Sequence, residues 1–239
     1  MKIALAGLFA AAALMTPAQA TSIVFNLNSA SPTTYGTSES FASSPSGYGS
    51  LTAYGYDSVL SQNTYTDGEN IGAKNKDTPS SGSAEDLETS SAGLGLVNTG
   101  NSDAKYIPVT DAVVLDFSNV SSSVMQSATS IKFSMSIDAN GPSEWVVLGY
   151  NASTQKFTVL DEASMSSGST ASYTDLSTSG LYTSYMIGVS NDDCALTVDS
   201  VTVNYNAVTT QQAPEPGTFA MAGMALAAVG ISMKKRRKG

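Results

Sequence analysis

Hydrophobic and polar residues alternate along several short segments of the chain. Ile131, Phe133 and Met135 alternate with Lys132 and Ser134, a pattern that predicts a strand with one buried face and one hydrated face. Further strands are predicted at 22–27, 112–117, 145–150, 156–160 and 182–189, with a hairpin link at 151–155. Many short strands joined by turn-rich connections predict an all-β fold, an antiparallel β-sandwich.

The last predicted strand contains a break in its alternation. Val201 and Val203 share one phase, whereas Leu196 and Val198 share the other. The phase changes at residues 199–200, where a β-bulge would restore both sets of side chains to the same face. The stretches 29–50, 78–91 and 164–179 are rich in Ser, Thr, Asn, Gly or acidic residues, a composition that favours loops.

The first twenty residues have the features of a signal peptide. Lys2 precedes an uncharged apolar run at 3–15, and Ala18-Gln19-Ala20 is a small-x-small triplet of the kind that signal peptidase recognises. Such a peptide would direct export, and cleavage after Ala20 would leave a mature chain that begins at Thr21. We therefore expect three parts: a signal peptide at 1–20, one β-sandwich domain at 21–213 and a C-terminal tail at 214–239.

The C-terminal tail consists of three blocks. Pro214-Glu215-Pro216 comes first, an Ala/Gly-rich apolar run at 217–233 follows, and Lys234-Lys235-Arg236-Arg237-Lys238 precedes the final glycine. As a helix the apolar run would span about 25 Å, less than the ~30 Å hydrocarbon core of a bilayer. The basic cluster would hold the C-terminus in the cytoplasm. The run is either a permanent single-span anchor or a temporary one, removed by cleavage near the prolines.

The order of these three blocks resembles the PEP-CTERM sorting signal. This resemblance implies recognition by an exosortase-type membrane protease in a Gram-negative bacterium. It also implies transient residence in the inner membrane, followed by delivery to the cell surface or the extracellular space. A link to exopolysaccharide and biofilm matrix is implied as well. The same tail family sometimes carries the label "ice-binding protein C-terminal domain", which implies nothing about the body at 21–213.

A looser resemblance lies in the middle of the body. Gly93-Leu94-Gly95-Leu96-Val97 is followed by Ile107 and then by the apolar segment 113–117, which Asp111-Ala112 precedes. This layout is similar to that of some PEP-CTERM passenger domains of the jelly-roll, carbohydrate-binding-module type. The resemblance implies a jelly-roll-like sandwich rather than a particular activity.

The body is strongly acidic. Residues 21–213 contain five lysines, no arginine and nineteen acidic residues, a formal charge of −14. Such a surface repels phosphate backbones, so we expect no nucleic-acid partner. A calcium ion could offset part of the charge. Asp192-Asp193 and Asp161-Glu162 are the best candidate ligand pairs, although either could be a solvated turn.

The residue inventory removes several kinds of chemistry. The chain contains no histidine, which excludes Ser-His-Asp and Cys-His nucleophiles. Cys194 is the only cysteine, so no intramolecular disulfide or CxxC motif exists. Glycoside hydrolysis requires only two carboxylates, and Glu144 beside Trp145 is one candidate. A strand-entry Glu followed by a core Trp explains the same residues without chemistry, and we assign no catalytic residue.

The N-terminal third of the body contains several tyrosines. Tyr54 and Tyr56 would point to the same face of an extended segment, with Tyr35 and Tyr48 nearby in sequence. They could stack on sugar rings or pack within the protein. Together with the link to exopolysaccharide that the PEP-CTERM resemblance implies, the sequence predicts an exported, non-catalytic protein with a structural or adhesive role in that matrix. A carbohydrate-binding module is the first alternative, and a polysaccharide hydrolase is the second.

Overall fold

A computed structural model describes residues 20–60, 70–97, 106–108, 110–139, 143–165, 170–176, 181–189 and 194–207. The predicted signal peptide up to residue 19, the tail with Pro214 to Lys238 and the calcium pair Asp192-Asp193 lie outside this part. The described strands belong to one compact unit, Gln19–Ala207. Within the described residues, no helix is long and apolar enough to cross a membrane.

The described residues form sixteen strands and one short helix. In chain order these are β1 (Ala20–Asn26), β2 (Thr33–Thr34), β3 (Ser38–Ser44), β4 (Ser50–Asp57), β5 (Ile71–Asn75), β6 (Thr78–Pro79), β7 (Ser83–Glu85), β8 (Leu87–Ser90), β9 (Gly93–Leu96), β10 (Ala112–Asp116), α1 (Ser122–Ser127), β11 (Ala128–Ala139), β12 (Ser143–Asn151), β13 (Lys156–Met165), β14 (Thr170–Leu176), β15 (Ser184–Val189) and β16 (Cys194–Asn206).

The strands form two antiparallel sheets. In sheet A, β14 pairs with β11 and β11 with β16. The other side of β16 pairs with β1 and with β9, and β9 continues to β8 and β2. Sheet B has the order β3-β4-β10-β15-β12-β13-β5-β6, with β7 beside the end of β4. Strand β3 also pairs with β1 and so joins the two sheets along one side.

The main core lies between the two sheets. Phe25, Ile131 and Val201 of sheet A contribute to the same buried cluster as Val113 and Ile187 of sheet B. Each is fully buried, and burial of this much apolar surface is the main driving force for the fold. The predicted antiparallel β-sandwich is therefore confirmed.

Sheet B also has a buried outer face. Val114 and Met186 on that face pack with Leu60 and with Ile71 of β5, in a second apolar cluster. The turn after β5 carries Lys76, whose ammonium donates a hydrogen bond to the carboxylate of Asp116. Because both faces of sheet B are covered, β10 and β15 are buried at every position, which explains their continuous rather than alternating apolar sequences.

The predicted bulge and hairpin are both confirmed. Ser134 pairs with Ser200 and Met135 with Val198, so Asp199 is the extra residue of the bulge. In the hairpin, Asn151 Oδ1 accepts hydrogen bonds from the backbone N–H groups of Ser153 at 3.0 Å and Thr154 at 3.3 Å. These bonds close the turn between β12 and β13.

The loop prediction is wrong for parts of three polar stretches. Segment 29–50 contains β3, segment 78–91 contains β6, β7 and β8, and segment 164–179 contains β14. The side chains of β14 alternate between exposed and half-buried positions, and all seven of its residues pair with β11. Its ladder hydrogen bonds satisfy the backbone, so a strand forms there despite its polar composition.

Candidate functional site

Three carboxylates meet at one end of sheet B. Asp57 ends β4, Glu85 ends β7, and Asp111 immediately precedes β10. One side-chain oxygen from each residue lies within 4.8 Å of the other two. We call these three residues the acidic cluster. In the part of the chain that the structure describes, it is the one group of three or more acidic, His or Cys side chains placed to hold a metal ion together.

Strand pairing brings the three residues together. Ala112 of β10 lies opposite Tyr56 of β4, which places Asp111 and Asp57 on adjacent strand ends. Glu85 of β7 lies opposite Gly55 on the other side of β4. A Cβ atom at Gly55 would lie 2.4 Å from the carbonyl oxygen of Glu85. Glycine at this position therefore permits the close approach of β7.

Burial and mutual repulsion disfavour full ionisation of the acidic cluster. Burial raises the pKa of Asp111 to about 7, the hydrogen bond from the Ser58 backbone lowers it, and Asp57 and Glu85 raise it further. That Ser58 N–H lies 2.9 Å from Asp111 Oδ1. Burial also raises the pKa of Glu85, with contributions from Asp57 and Asp86. A proton shared within the cluster would relieve this repulsion.

The cluster has two chemical uses. Carboxylate oxygens are the ligands that calcium prefers, so the three residues could hold such an ion. Alternatively, Asp111 stays protonated and donates a hydrogen bond within the cluster.

The pH dependence of stability should reveal the protonated Asp111. Because its pKa in the fold, about 7, exceeds its ordinary value of 3.8, the folded state binds more protons between these values. The free energy of unfolding should therefore rise as the pH falls from 8 towards 4. Asp111→Asn should flatten this profile and stabilise the protein at pH 8 by about 1 kcal/mol. Thermal unfolding in EDTA, followed by the fluorescence of Trp145, measures both effects.

Asp161→Asn is the matched control, because Asp161 is an exposed carboxylate and its replacement should leave the profile unchanged. A loss of stability in the Asp111→Asn variant at pH 8 would contradict the prediction. Repeating the measurement with calcium in place of EDTA tests whether the acidic cluster binds calcium. If calcium raises the melting temperature of the wild type but not that of the Asp111→Asn variant, the cluster is the calcium site.

The acids proposed from sequence lie elsewhere. Asp161 and Glu162 are both exposed on β13, and the Glu162 backbone N–H donates to Asp161 Oδ1 at 3.0 Å. Glu144 is exposed, whereas Trp145 is 4% exposed and belongs to the main core. Since successive side chains of a strand point to opposite faces, the indole does not shield Glu144. The interpretation of Trp145 as a core residue is confirmed.

Sequence reasoning did not identify the acidic cluster. It singled out Asp111 only as the acid before a strand. Asp57 and Glu85 also stand at strand ends, but their proximity depends on which strands pair. Acidic residues at strand boundaries are the signal that could have suggested them.

The four N-terminal tyrosines do not form one platform. Tyr54 and Tyr56 share the outer face of sheet B as predicted, but Tyr56 is only 8% exposed. Its hydroxyl donates to the backbone carbonyl of Asp77 at 2.7 Å. Tyr35 packs against Phe41 and Tyr48 against Tyr205. Most of this tyrosine set therefore serves packing within the sandwich.

Comparison with known proteins locates a sorting signal. Residues 212–237 match the PEP-CTERM protein-sorting motif, which confirms the resemblance of the tail. The chain is therefore an exported protein with a signal for exosortase-type processing, anchored transiently in the membrane before cleavage. No curated protein matches the chain.

Two solved structures are similar to the body in fold. One is the CBM22-1 xylan-binding domain of Paenibacillus barcinonensis Xyn10C, with 7% identity, a TM-score of 0.33, and coverage of 77% of this chain and 92% of that domain. The other is the CBM22-1–GH10 part of Clostridium thermocellum xylanase 10B, complexed with xylohexaose, with 11% identity and a TM-score of 0.29. The match covers 66% of this chain but only 29% of that protein.

Proposed function

We propose that this protein is a non-catalytic structural or adhesive component of an extracellular exopolysaccharide matrix. The observation that carries the proposal is the sorting motif at 212–237, which follows a folded, exported body. A cleavable tail delivers the body outside the cell and then releases it or transfers it to another anchor. Such a route suits a protein that acts among secreted polymers.

The body has properties suited to this role. Its sandwich buries two apolar clusters, so it gains stability without any intramolecular disulfide, which a chain with one cysteine cannot form. Its formal charge of −14 between residues 21 and 213 favours solubility and disfavours self-association. An acidic, stable domain can persist in the extracellular space and can bind neutral polymers without attracting nucleic acids.

Fractionation of the producing cells tests the proposal. We expect the protein to co-purify with the matrix polysaccharide in the wild type, and to become freely soluble in a strain that makes no exopolysaccharide. In a strain that lacks the exosortase-type protease, it should stay in the membrane fraction. A distribution that is the same with and without exopolysaccharide would contradict the matrix role.

A further inference from the structure

A cavity of about 310 Å³ lies beside α1, where the loops that follow β10 and precede β15 meet. Phe117, Met125 and Tyr182 supply much of its apolar lining, and Ser118, Gln126 and Thr183 place hydroxyl and amide groups at its edge. We call it the end cavity. Its volume lies within the range of small-ligand sites, which combine an apolar lining with a few polar groups. Among the described residues, neither the acidic cluster nor the Tyr54 face contributes to its lining.

The ring of Tyr182 is held in a fixed orientation. A Cβ atom at Gly149 would lie 2.6 Å from Cγ and Cδ2 of Tyr182 and 2.8 Å from Cδ1, so one face of the ring covers the Gly149 backbone. The ring also meets Tyr185 edge to face, with ring centroids 5.8 Å apart. Tyr182 is half-buried and belongs to the lining of the cavity. Such a ring needs no rearrangement to act as a stacking platform.

Hydrogen bonds behind the ring support this orientation. The backbone N–H of Tyr182 donates to the hydroxyl oxygen of Tyr185 at 3.2 Å. That hydroxyl in turn donates to Asp175 Oδ2 at 2.6 Å. Contacts with three strands therefore fix the position of Tyr182: Gly149 of β12, Asp175 of β14 and Tyr185 of β15.

The charge of the cavity selects a neutral ligand. Its described lining residues include no Asp, Glu, Lys or Arg, although the body as a whole is strongly acidic. An anionic ligand would find no countercharge there and would be repelled by the protein. A cation would find no carboxylate. A ligand with an apolar face and several hydroxyl groups satisfies both the ring and the polar edge, and a neutral sugar has both features.

We propose that the end cavity binds a neutral sugar unit of a polysaccharide, with the sugar ring stacked on Tyr182 and its hydroxyls hydrogen-bonded to Gln126 and the neighbouring hydroxyl side chains. This inference rests on the proposed matrix function, and it names the end cavity as the place where the protein contacts the polysaccharide. A purely apolar ligand would make no use of the hydroxyl and amide groups in the lining.

Isothermal titration with the exported protein purified from its own cells tests the proposal. The probes are dextran, mannan, β-glucan, anionic alginate and the polysaccharide isolated from the same matrix. We expect binding to at least one neutral polymer. Tyr182→Ala should weaken it at least ten-fold, the loss expected when a stacking ring is removed. Tyr182→Phe, which keeps the ring, should stay within about two-fold of the wild type.

Two further variants separate the cavity from the fold and from other aromatic surfaces. Gln126→Trp changes an exposed residue of α1 and should block the cavity, abolishing binding while the melting temperature stays unchanged. Tyr54→Ala removes a half-buried tyrosine from the outer face of sheet B and should leave the affinity unchanged.

Each alternative result has a distinct meaning. Unchanged binding by folded Gln126→Trp protein would overturn the cavity proposal. Loss of binding in Tyr54→Ala but not in Tyr182→Ala would move the site to the outer face of sheet B, and the matrix function would stand. Binding to alginate alone would overturn the neutral-sugar assignment. A wild-type protein that binds none of the probes, including its own matrix polysaccharide, would contradict the matrix function as well.

Discussion

Phe133→Ala should lower the free energy of unfolding by about 3–5 kcal/mol, the range found when a buried aromatic side chain is truncated. Phe133 is fully buried in β11, at the centre of the main core. Its ring stacks on Tyr173 at a centroid distance of 6.2 Å and contacts Tyr185 at 4.9 Å. Truncation would leave a cavity and remove both ring contacts, so the loss exceeds the transfer free energy of the side chain alone.

Chemical denaturation measures this effect, with circular dichroism for the strands and Trp145 fluorescence for the core. Lys132→Ala is the control, because Lys132 neighbours Phe133 in sequence but is exposed on the other face of β11. We expect a change of no more than about 0.5 kcal/mol there. A Phe133→Ala loss as small as that of Lys132→Ala would show that the two sheets do not form one cooperative core.

The alternation of apolar residues was sufficient to predict the strands that face the core. Ile131, Phe133 and Met135 are all fully buried, as their spacing indicated. The bulge at Asp199 could also be predicted, because an extra residue is the simplest way to bury both Val198 and Val201 on one face. Local periodicity is sufficient for these features, because the apolar positions of a strand mark the face that is buried.

The remaining features of the fold and the acidic cluster depend on which distant strands pair. A single sequence does not specify that pairing. The composition of β14 is polar and predicts a loop, yet every residue of β14 pairs with β11. The acidic cluster joins residues from β4, β7 and the approach to β10. Likewise, the orientation of Tyr182 depends on the absence of a side chain at Gly149, more than thirty residues earlier in the chain.

Gly93 shows how a sequence motif can have a packing reason. The segment 93–97 resembles part of other passenger domains, and this resemblance implied only a fold. In the structure Gly93 has a φ of +134°, and a Cβ atom there would lie 2.7 Å from the carbonyl oxygen of Val198. Strand β9 pairs with β16 beside this point, where Leu94 lies opposite Val198. A side chain at 93 would force the two strands apart.

The sorting tail is the opposite case, because its motif lies within one contiguous stretch, residues 212–237. Replacing Pro214, Glu215 and Pro216 with three alanines should abolish cleavage of the tail. Intact mass should then show a chain that begins near Thr21 and continues to Gly239, found in the membrane fraction. The apolar run at 217–233 and the basic residues after it remain in this variant, so they would still hold it at the membrane. The wild type should instead yield a product that ends near Pro214.

The matched control replaces Thr209 and Thr210 with alanine, just upstream of the matched residues 212–237; it should be processed like the wild type. A tail-free product from the triple-alanine variant would show that cleavage does not depend on Pro-Glu-Pro. Retention of the tail in the wild type would make the apolar run a permanent anchor. As a helix the run would be shorter than the bilayer core, and it is rich in Ala and Gly, which makes it a marginal anchor that suffices only until cleavage. We therefore expect cleavage rather than permanent anchoring to determine where the body acts.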